Sequence, residues 1–237
     1  MNKEVIPYGK HFIDDHDIEA VIDVLKNHPL TQGHFVTSFE EEVAKFVGAK
    51  FAVAMSSWTA GLHMACLAAG VEKKDLVATS PITFVASSNS AFYCQAQPIF
   101  TDINEQTINM CTSELDKTLK ENKSVKVVIP VHFAGLPCDM KSIKEIADKN
   151  GSLIIEDAAH ALGAKYSCGS KVGSCKYSDM TGFSFHPVKS IAAGEGGMIT
   201  TNSEEIYKKL LRLRSHGINK SNDCLLYTSP SPRDPIG

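Results

Sequence analysis

The run VKVVIPVHFAGLPCDMKSIKEIADKNGSLIIEDAAH, residues 125–160, decides the fold. Residues 125–133 form a continuous apolar stretch of the kind carried by a strand buried on both faces. Residues 139–149 read as a helix, and 152–158 as a second apolar strand ending in Glu156 and Asp157. Strand, helix and strand in direct succession make a βαβ unit, which demands parallel pairing and a helix laid across one face.

The alternation continues outward. Residues 50–57, 75–80 and 97–103 read as strands, with helices at 59–70, 83–94 and 113–121 between and after them. GMITT (197–201) is a further strand, and 204–220 an amphipathic helix with its exit. Before residue 50 lie a loop at 30–35 and helices at 14–27 and 38–48, the latter started by the capping-box spacing of Ser38 and Glu41. The expected fold class is α/β, a mostly parallel sheet with helices on both faces. In such sheets ligands sit at the carboxyl ends of the strands, so the residues just after each strand matter most. Residues 223–237 turn Ser/Pro-rich without periodicity and are expected to be a disordered or non-native tail, apart from a domain over 1–222.

Composition narrows the function. A net charge of −3 over 237 residues, with no basic cluster, argues against nucleic acid or an anionic membrane as partner. No apolar run suits a signal peptide or a membrane span. Seven scattered cysteines without a CxxC pair read as reduced thiols, hence a cytoplasmic protein without a disulfide framework or zinc knuckle. Metal ligation is disfavoured, because no second His or carboxylate joins Asp157 at a recurring ligand spacing.

Three strand ends carry chemistry. Ser56, Ser57 and Thr59 open a helix, where free N–H groups bind phosphate well; simple N-capping is the commoner use of such hydroxyls. Asp157 with His160 follows the strand at 152–158, and a carboxylate there serves as ligand, base, ion-pair partner or turn cap. FSFHPVKSIAAGEGG (183–197) places Lys189 in an apolar run after Ser184, with glycines that permit close backbone approach. His63, His132 and His186 stand isolated and read as structural. Together the hydroxyl-rich helix start, the carboxylate and the lysine make a kit for pyridoxal phosphate (PLP): phosphate, ring nitrogen and aldehyde in turn.

Eight ordered segments carry a family resemblance: LTQG, SSWTAGLHMA, TSPITFVASSNS, PIFTDI, VIPVHFAGLPCDM, IIEDAAHALGAKY, FSFHPVKSIAAGEGGMITTN and LRSHGI. Through them the chain resembles the DegT/DnrJ-type PLP-dependent nucleotide-sugar aminotransferases. The resemblance implies the large domain of the type I, aspartate-aminotransferase-like fold, with the small carboxy-terminal domain missing. It places Lys189 at the Schiff-base lysine and Asp157 at the partner of the pyridine nitrogen. His160 falls near the 3-hydroxyl, Phe84 on the ring face, and Ser57, Thr59 and Ser184 at the phosphate. Tyr8 and the loop Leu30, Thr31, Gln32 and Gly33 fall at the nucleotide-sugar edge. The implied reaction is amino transfer, with L-glutamate as donor, to C4 of a UDP-4-keto-6-deoxy sugar in a homodimer, for pseudaminic acid or related surface glycans. The 4-amino-4-deoxy-arabinose and perosamine branches share every cofactor residue. Family members run well past residue 222, so the isolated chain is expected to be an inactive fragment. Two departures stand out: Ala192 and Ala193 replace frequent threonines, and Trp58 replaces a small residue and is expected to reshape the phosphate pocket.

Overall fold

The computed structural model describes residues 9–221 and 224–227. The chain runs α1 (Asp15–Asn27), α2 (His34–Val47), β1 (Phe51–Met55), α3 (Trp58–Ala68), β2 (Leu76–Thr79), α4 (Ala86–Tyr93) and β3 (Gln97–Phe100). It continues through α5 (Thr112–Glu121), β4 (Val125–Ile129), α6 (Met140–Asn150), β5 (Leu153–Asp157), β6 (Met180–Ser184), β7 (Gly197–Thr201) and α7 (Glu204–Arg214). The seven strands form one sheet in the order β1-β7-β6-β5-β4-β2-β3. Pairing is parallel from β3 through β2, β4 and β5 to β6. The exception is β7, which inserts antiparallel between β6 and β1. All six other strands therefore share one direction, and their carboxyl ends share one edge.

Strand residues alternate between two cores, as the period of two requires. Ala78, Val128 and Ile154 pack with α2, α5 and α6 on one face. Val77, Val127 and Ile155 pack with α3, α4 and α7 on the other. Burying each such Val or Ile contributes roughly 1.5–3 kcal/mol, which is what sandwiches the sheet between helical layers.

Local chemistry explains most boundaries. In α1 the Asp14 side chain accepts from the Asp17 N–H at 3.1 Å while Asp17 accepts from the Asp14 N–H at 3.1 Å, a reciprocal cap. Asp139 caps α6, and Gly151 ends it with φ 74°. The expected capping box at Ser38 is not the start of α2. Gly33 occupies the cap, its extended backbone admits the helix four residues earlier, and Ser38 lies in the helix interior. The strand expected at 125–133 stops at Ile129 because Pro130 brings no N–H to the ladder. Beyond α7, β8 (Ile218–Ser221) pairs antiparallel with β9 (Cys224–Tyr227), each satisfying the other's backbone groups. The rest of the 223–237 tail lies outside the described residues.

One ion pair ties α7 to the opposite helical layer. Arg214 Nη1 bonds Glu40, whose buried carboxylate also accepts the Ala54 N–H at 2.7 Å. Arg214→Met would strand that charge, at a cost of about 2–3 kcal/mol after allowing for the arginine's partial exposure. Thermal unfolding should show Tm lower by roughly 4–12 °C. Adding Glu40→Gln should restore most of the loss. A single variant that melts with the unsubstituted chain would refute the link.

Candidate active site

Two adjacent carboxylates end β5, and the strand period sends them to opposite faces. Glu156 enters a closed polar cluster. It accepts from Tyr166 Oη at 2.5 Å, Thr181 Oγ1 at 2.9 Å and Ser178 Oγ. His132 Nε2 lies 2.7 Å away, while its Nδ1 accepts the Cys138 N–H at 3.1 Å, which leaves the ring proton on Nε2 facing Glu156. Burial acts to raise the Glu156 carboxyl, but bonds from His132, Ser178 and Tyr166 hold it below the ordinary carboxylate range. Every oxygen is occupied, so Glu156 is a structural anchor, and His132 is structural as its isolation suggested.

Asp157 faces the other way, toward α3 and α4, and is 5% exposed. Its Oδ1 accepts from Trp58 Nε1 at 2.8 Å and from the Ala159 N–H at 3.3 Å. Its Oδ2 accepts from Ser87 Oγ at 2.7 Å, and Ser87 in turn meets Thr83 Oγ1 at 2.7 Å. A carboxylate offers about four acceptor positions, so about one remains.

Lys189 approaches from the loop between β6 and β7. The loop is closed at its base by Phe185 N–H to Gly196 O and Ala193 N–H to Phe185 O, both 2.9 Å, and Lys189 sits in a turn onto His186 O. Burial pulls the half-buried amine below its ordinary pKa, against the opposing pull of the Asp157 charge. His160 is lowered as well, first by burial and then by the Lys189 charge, with Asp157 acting against both. The three groups thus lie within one another's electrostatic reach.

The remaining residues reach the same sheet edge from other strand ends. Ser57 caps α3, accepting the Ala60 N–H at 3.1 Å, and Thr59 lies half-buried in the first turn. The structure thus shows the capping use of this segment. Gly197 admits this approach: a Cβ there would lie 2.5 Å from the Ser57 carbonyl carbon. Ser184 ends β6, and its Oγ accepts the His186 N–H at 3.4 Å. Phe84 follows β2 with its ring 74% exposed, one residue from Thr83 and so beside the chain of hydroxyls that holds Asp157.

The loop Leu30–Gly33 lies to one side. Leu30 is exposed, Thr31 precedes the cap, Gly33 caps α2, and Gln32 lines a cavity with Ser56, Ala60, Met64 and Arg214. Gln32 thus shares a cavity with Ser56, which lies between β1 and α3. Tyr8 lies outside the described residues. Among the described residues no three His, Cys, Asp or Glu side chains gather as a metal site requires, and no helix is long and apolar enough to cross a membrane.

Trp58 overturns an expectation. Its indole does not enter the helix-start pocket; it is 5% exposed, buried beneath α3 against β6, with its N–H on Asp157. Glycines at 61 and 182 make the room: a Cβ at Gly182 would lie 1.8 Å from Trp58 Cη2, and one at Gly61 2.7 Å from Cε3. Trp58 and Ser87 are the site residues that sequence reasoning missed. The sequence held one clue, a bulky residue at a position expected to be small.

An amine with a depressed pKa, a pinned carboxylate and a hydroxyl-bearing helix start now share one edge of the sheet. Residues 11–229 match the family described as DegT/DnrJ/EryC1/StrS aminotransferases. The chain belongs to that family. It is 41% identical over 234 residues to the spore coat polysaccharide biosynthesis protein SpsC of Bacillus subtilis, covering 96% of this chain and 59% of the relative. It is 39% identical over 217 residues to a UDP-4-amino-4,6-dideoxy-N-acetyl-beta-L-altrosamine transaminase of Campylobacter jejuni, covering 91% and 56%. Its fold superposes with TM-score 0.87 on a Streptococcus pneumoniae protein, assigned as a sugar aminotransferase and solved in a PLP form, at 29% identity over 95% of this chain and 62% of that one. The chain therefore spans somewhat over half the length of the curated relatives it matches.

Proposed function

We propose that this chain carries amino transfer to C4 of a UDP-4-keto-6-deoxy sugar, with L-glutamate as donor and PLP as cofactor. The observation that carries the reading is the pairing of Lys189, its amine shifted toward neutrality by burial, with a carboxylate that retains about one open acceptor position. The residues fit PLP. Asp157 would hold the protonated ring nitrogen, Ser57, Thr59 and Ser184 the phosphate, Phe84 a ring face, and His160 the edge bearing the 3-hydroxyl. When bound, PLP supplies an aldehyde and an electron-accepting ring. Lys189 Nζ would hold that aldehyde and, when freed by the incoming amino donor, would serve as the base for the donor's Cα proton. Three donors hold the buried Asp157 carboxylate in place and shield it from water. Gln32 and its loop neighbours Leu30, Thr31 and Gly33, with Tyr8, are proposed for the nucleotide-sugar side.

The choice of UDP sugar rests on the Campylobacter relative's own substrate name. A cytoplasmic setting goes with the same reading, supported among the described residues by free thiols at Cys66, Cys94, Cys111, Cys138, Cys168 and Cys175, and a homodimer is proposed from the family alone. Residues 1–222 are proposed as the cofactor-binding domain. The test is amino transfer from L-glutamate by the PLP-loaded chain to three acceptors: a UDP-4-keto-6-deoxy sugar, a UDP-4-keto-pentose and a GDP-4-keto-6-deoxy sugar. Where transfer occurs, a UDP-4-amino-6-deoxy product is expected; the isolated chain, spanning 59% of a relative such as SpsC, is otherwise expected to be inactive. Transfer only to the pentose or the GDP sugar moves the protein to the arabinose or perosamine branch. Retained PLP without any transfer is the inactive-fragment outcome and overturns the proposal for this chain.

A further inference from the structure

Asp157 is approached from three directions, and the donor with the most construction around it is Trp58. The indole is buried between α3 and β6 in a slot that exists because positions 61 and 182 carry no side chain. A buried indole N–H needs an acceptor, which any backbone carbonyl could supply. Here it is instead a carboxylate oxygen 99 residues away in sequence, at 2.8 Å. An indole only donates, so it accepts no proton from Asp157 and bonds best to the ionised form. With Ala159 N–H on the same oxygen and Ser87 on the other, the carboxylate plane is fixed from α3, α4 and its own strand end.

We propose that Trp58 is a positioning residue, whose indole N–H orients the Asp157 carboxylate so that its open acceptor position meets the cationic ring N–H of the cofactor. This rests on the reading of Asp157 as the ring-nitrogen partner. Removing the N–H frees one carboxylate oxygen to rotate, so the interaction with the ring nitrogen weakens while phosphate and amine contacts stay.

The discriminating probe is an analogue of PLP with carbon in place of the ring nitrogen, compared with PLP itself by equilibrium dialysis. The unsubstituted chain should prefer PLP. Trp58→Phe, which keeps a ring in the slot and loses the N–H, should cut that preference by about tenfold or more. Borohydride trapping of Lys189 at saturating PLP should be unchanged. A purely packing role would weaken both ligands equally and leave the preference intact, which overturns the proposal. Asp157→Ala separates the two levels. If it keeps the preference, the reading of Asp157 fails and the proposal falls with it; if it loses the preference while Trp58→Phe keeps it, only the proposal fails. Should Trp58→Phe not fold, the unsubstituted chain still decides, because it holds a single tryptophan and so one indole N–H proton resonance. That resonance should be downfield, slow to exchange, and placed differently with PLP than with the carbon analogue. Identical positions with both ligands overturn the proposal.

Discussion

Lys189→Ala is expected to abolish covalent capture of PLP by this chain, with borohydride-trapped adduct falling to the level of the unfolded protein. The neighbouring lysines do not substitute, because capture requires an amine that is both aimed into the site and largely neutral. Burial lowers the Lys189 pKa from its ordinary value and so favours the neutral amine; Asp157 limits the drop by favouring the charged form. The pH dependence follows with a definite sign. The rate of capture should rise with pH through a midpoint below that of free lysine, and Asp157→Asn, by removing the opposing charge, should move the midpoint lower still. Stability carries the matching sign. The unfolded state binds the lysine proton more tightly, so the folded state carries the full penalty below its own lysine pKa, and the penalty lifts as pH rises from there to the ordinary lysine pKa. Lys189→Met should therefore raise stability at neutral pH while ending capture. A trapping midpoint at or above that of free lysine would contradict the account, as would residual capture in Lys189→Ala.

The parts of this site that could be read in the sequence are those that local rules govern. Continuous apolar runs marked β4 and β5, and the rule that a parallel sheet gathers its carboxyl ends on one edge pointed to the residues after each strand. Even the choice between Glu156 and Asp157 was available in principle, since one residue along a strand exchanges one face for the other. What local rules miss is long-range pairing. The antiparallel insertion of β7 depends on which edges remain open after the other strands associate. The start of α2 fell to Gly33 over Ser38, because the cap that wins is set by where the incoming chain turns. Trp58 was misjudged for a related reason. Its side-chain direction depends on two absences, the missing Cβ atoms of Gly61 and Gly182, of which only Gly61 lies nearby in sequence.

Those absences make Gly182→Ala the most damaging small substitution expected in the fold. Gly182 lies in the middle of β6, paired with Asp157 of β5 on one side and Ile199 of β7 on the other, so its backbone has no freedom to retreat. The added methyl would meet three indole carbons of Trp58, Cη2 at 1.8 Å, Cζ3 at 1.9 Å and Cζ2 at 2.4 Å. None is the far end of a flexible chain; all belong to one rigid ring. Overpacking of a core ordinarily costs about 1–3 kcal/mol, and an overlap this deep belongs at or above the upper end. That corresponds to Tm lower by about 6–12 °C, or to a chain that does not fold. The cause lies in side-chain collision and not in backbone strain, so it has a specific remedy. The clashing atoms belong to the six-membered ring of the indole, and Trp58→Phe withdraws the ring from the new methyl. The double variant should recover most of the lost stability, with a coupling of several kcal/mol between the two positions. It should not recover the ring-nitrogen preference of cofactor binding, because the phenyl ring brings no N–H to Asp157. Stability and positioning would then separate at one residue pair. If Gly182→Ala lowers Tm by less than about 2 °C, the slot is not closed around the indole, and the fixed orientation of Asp157 loses its support.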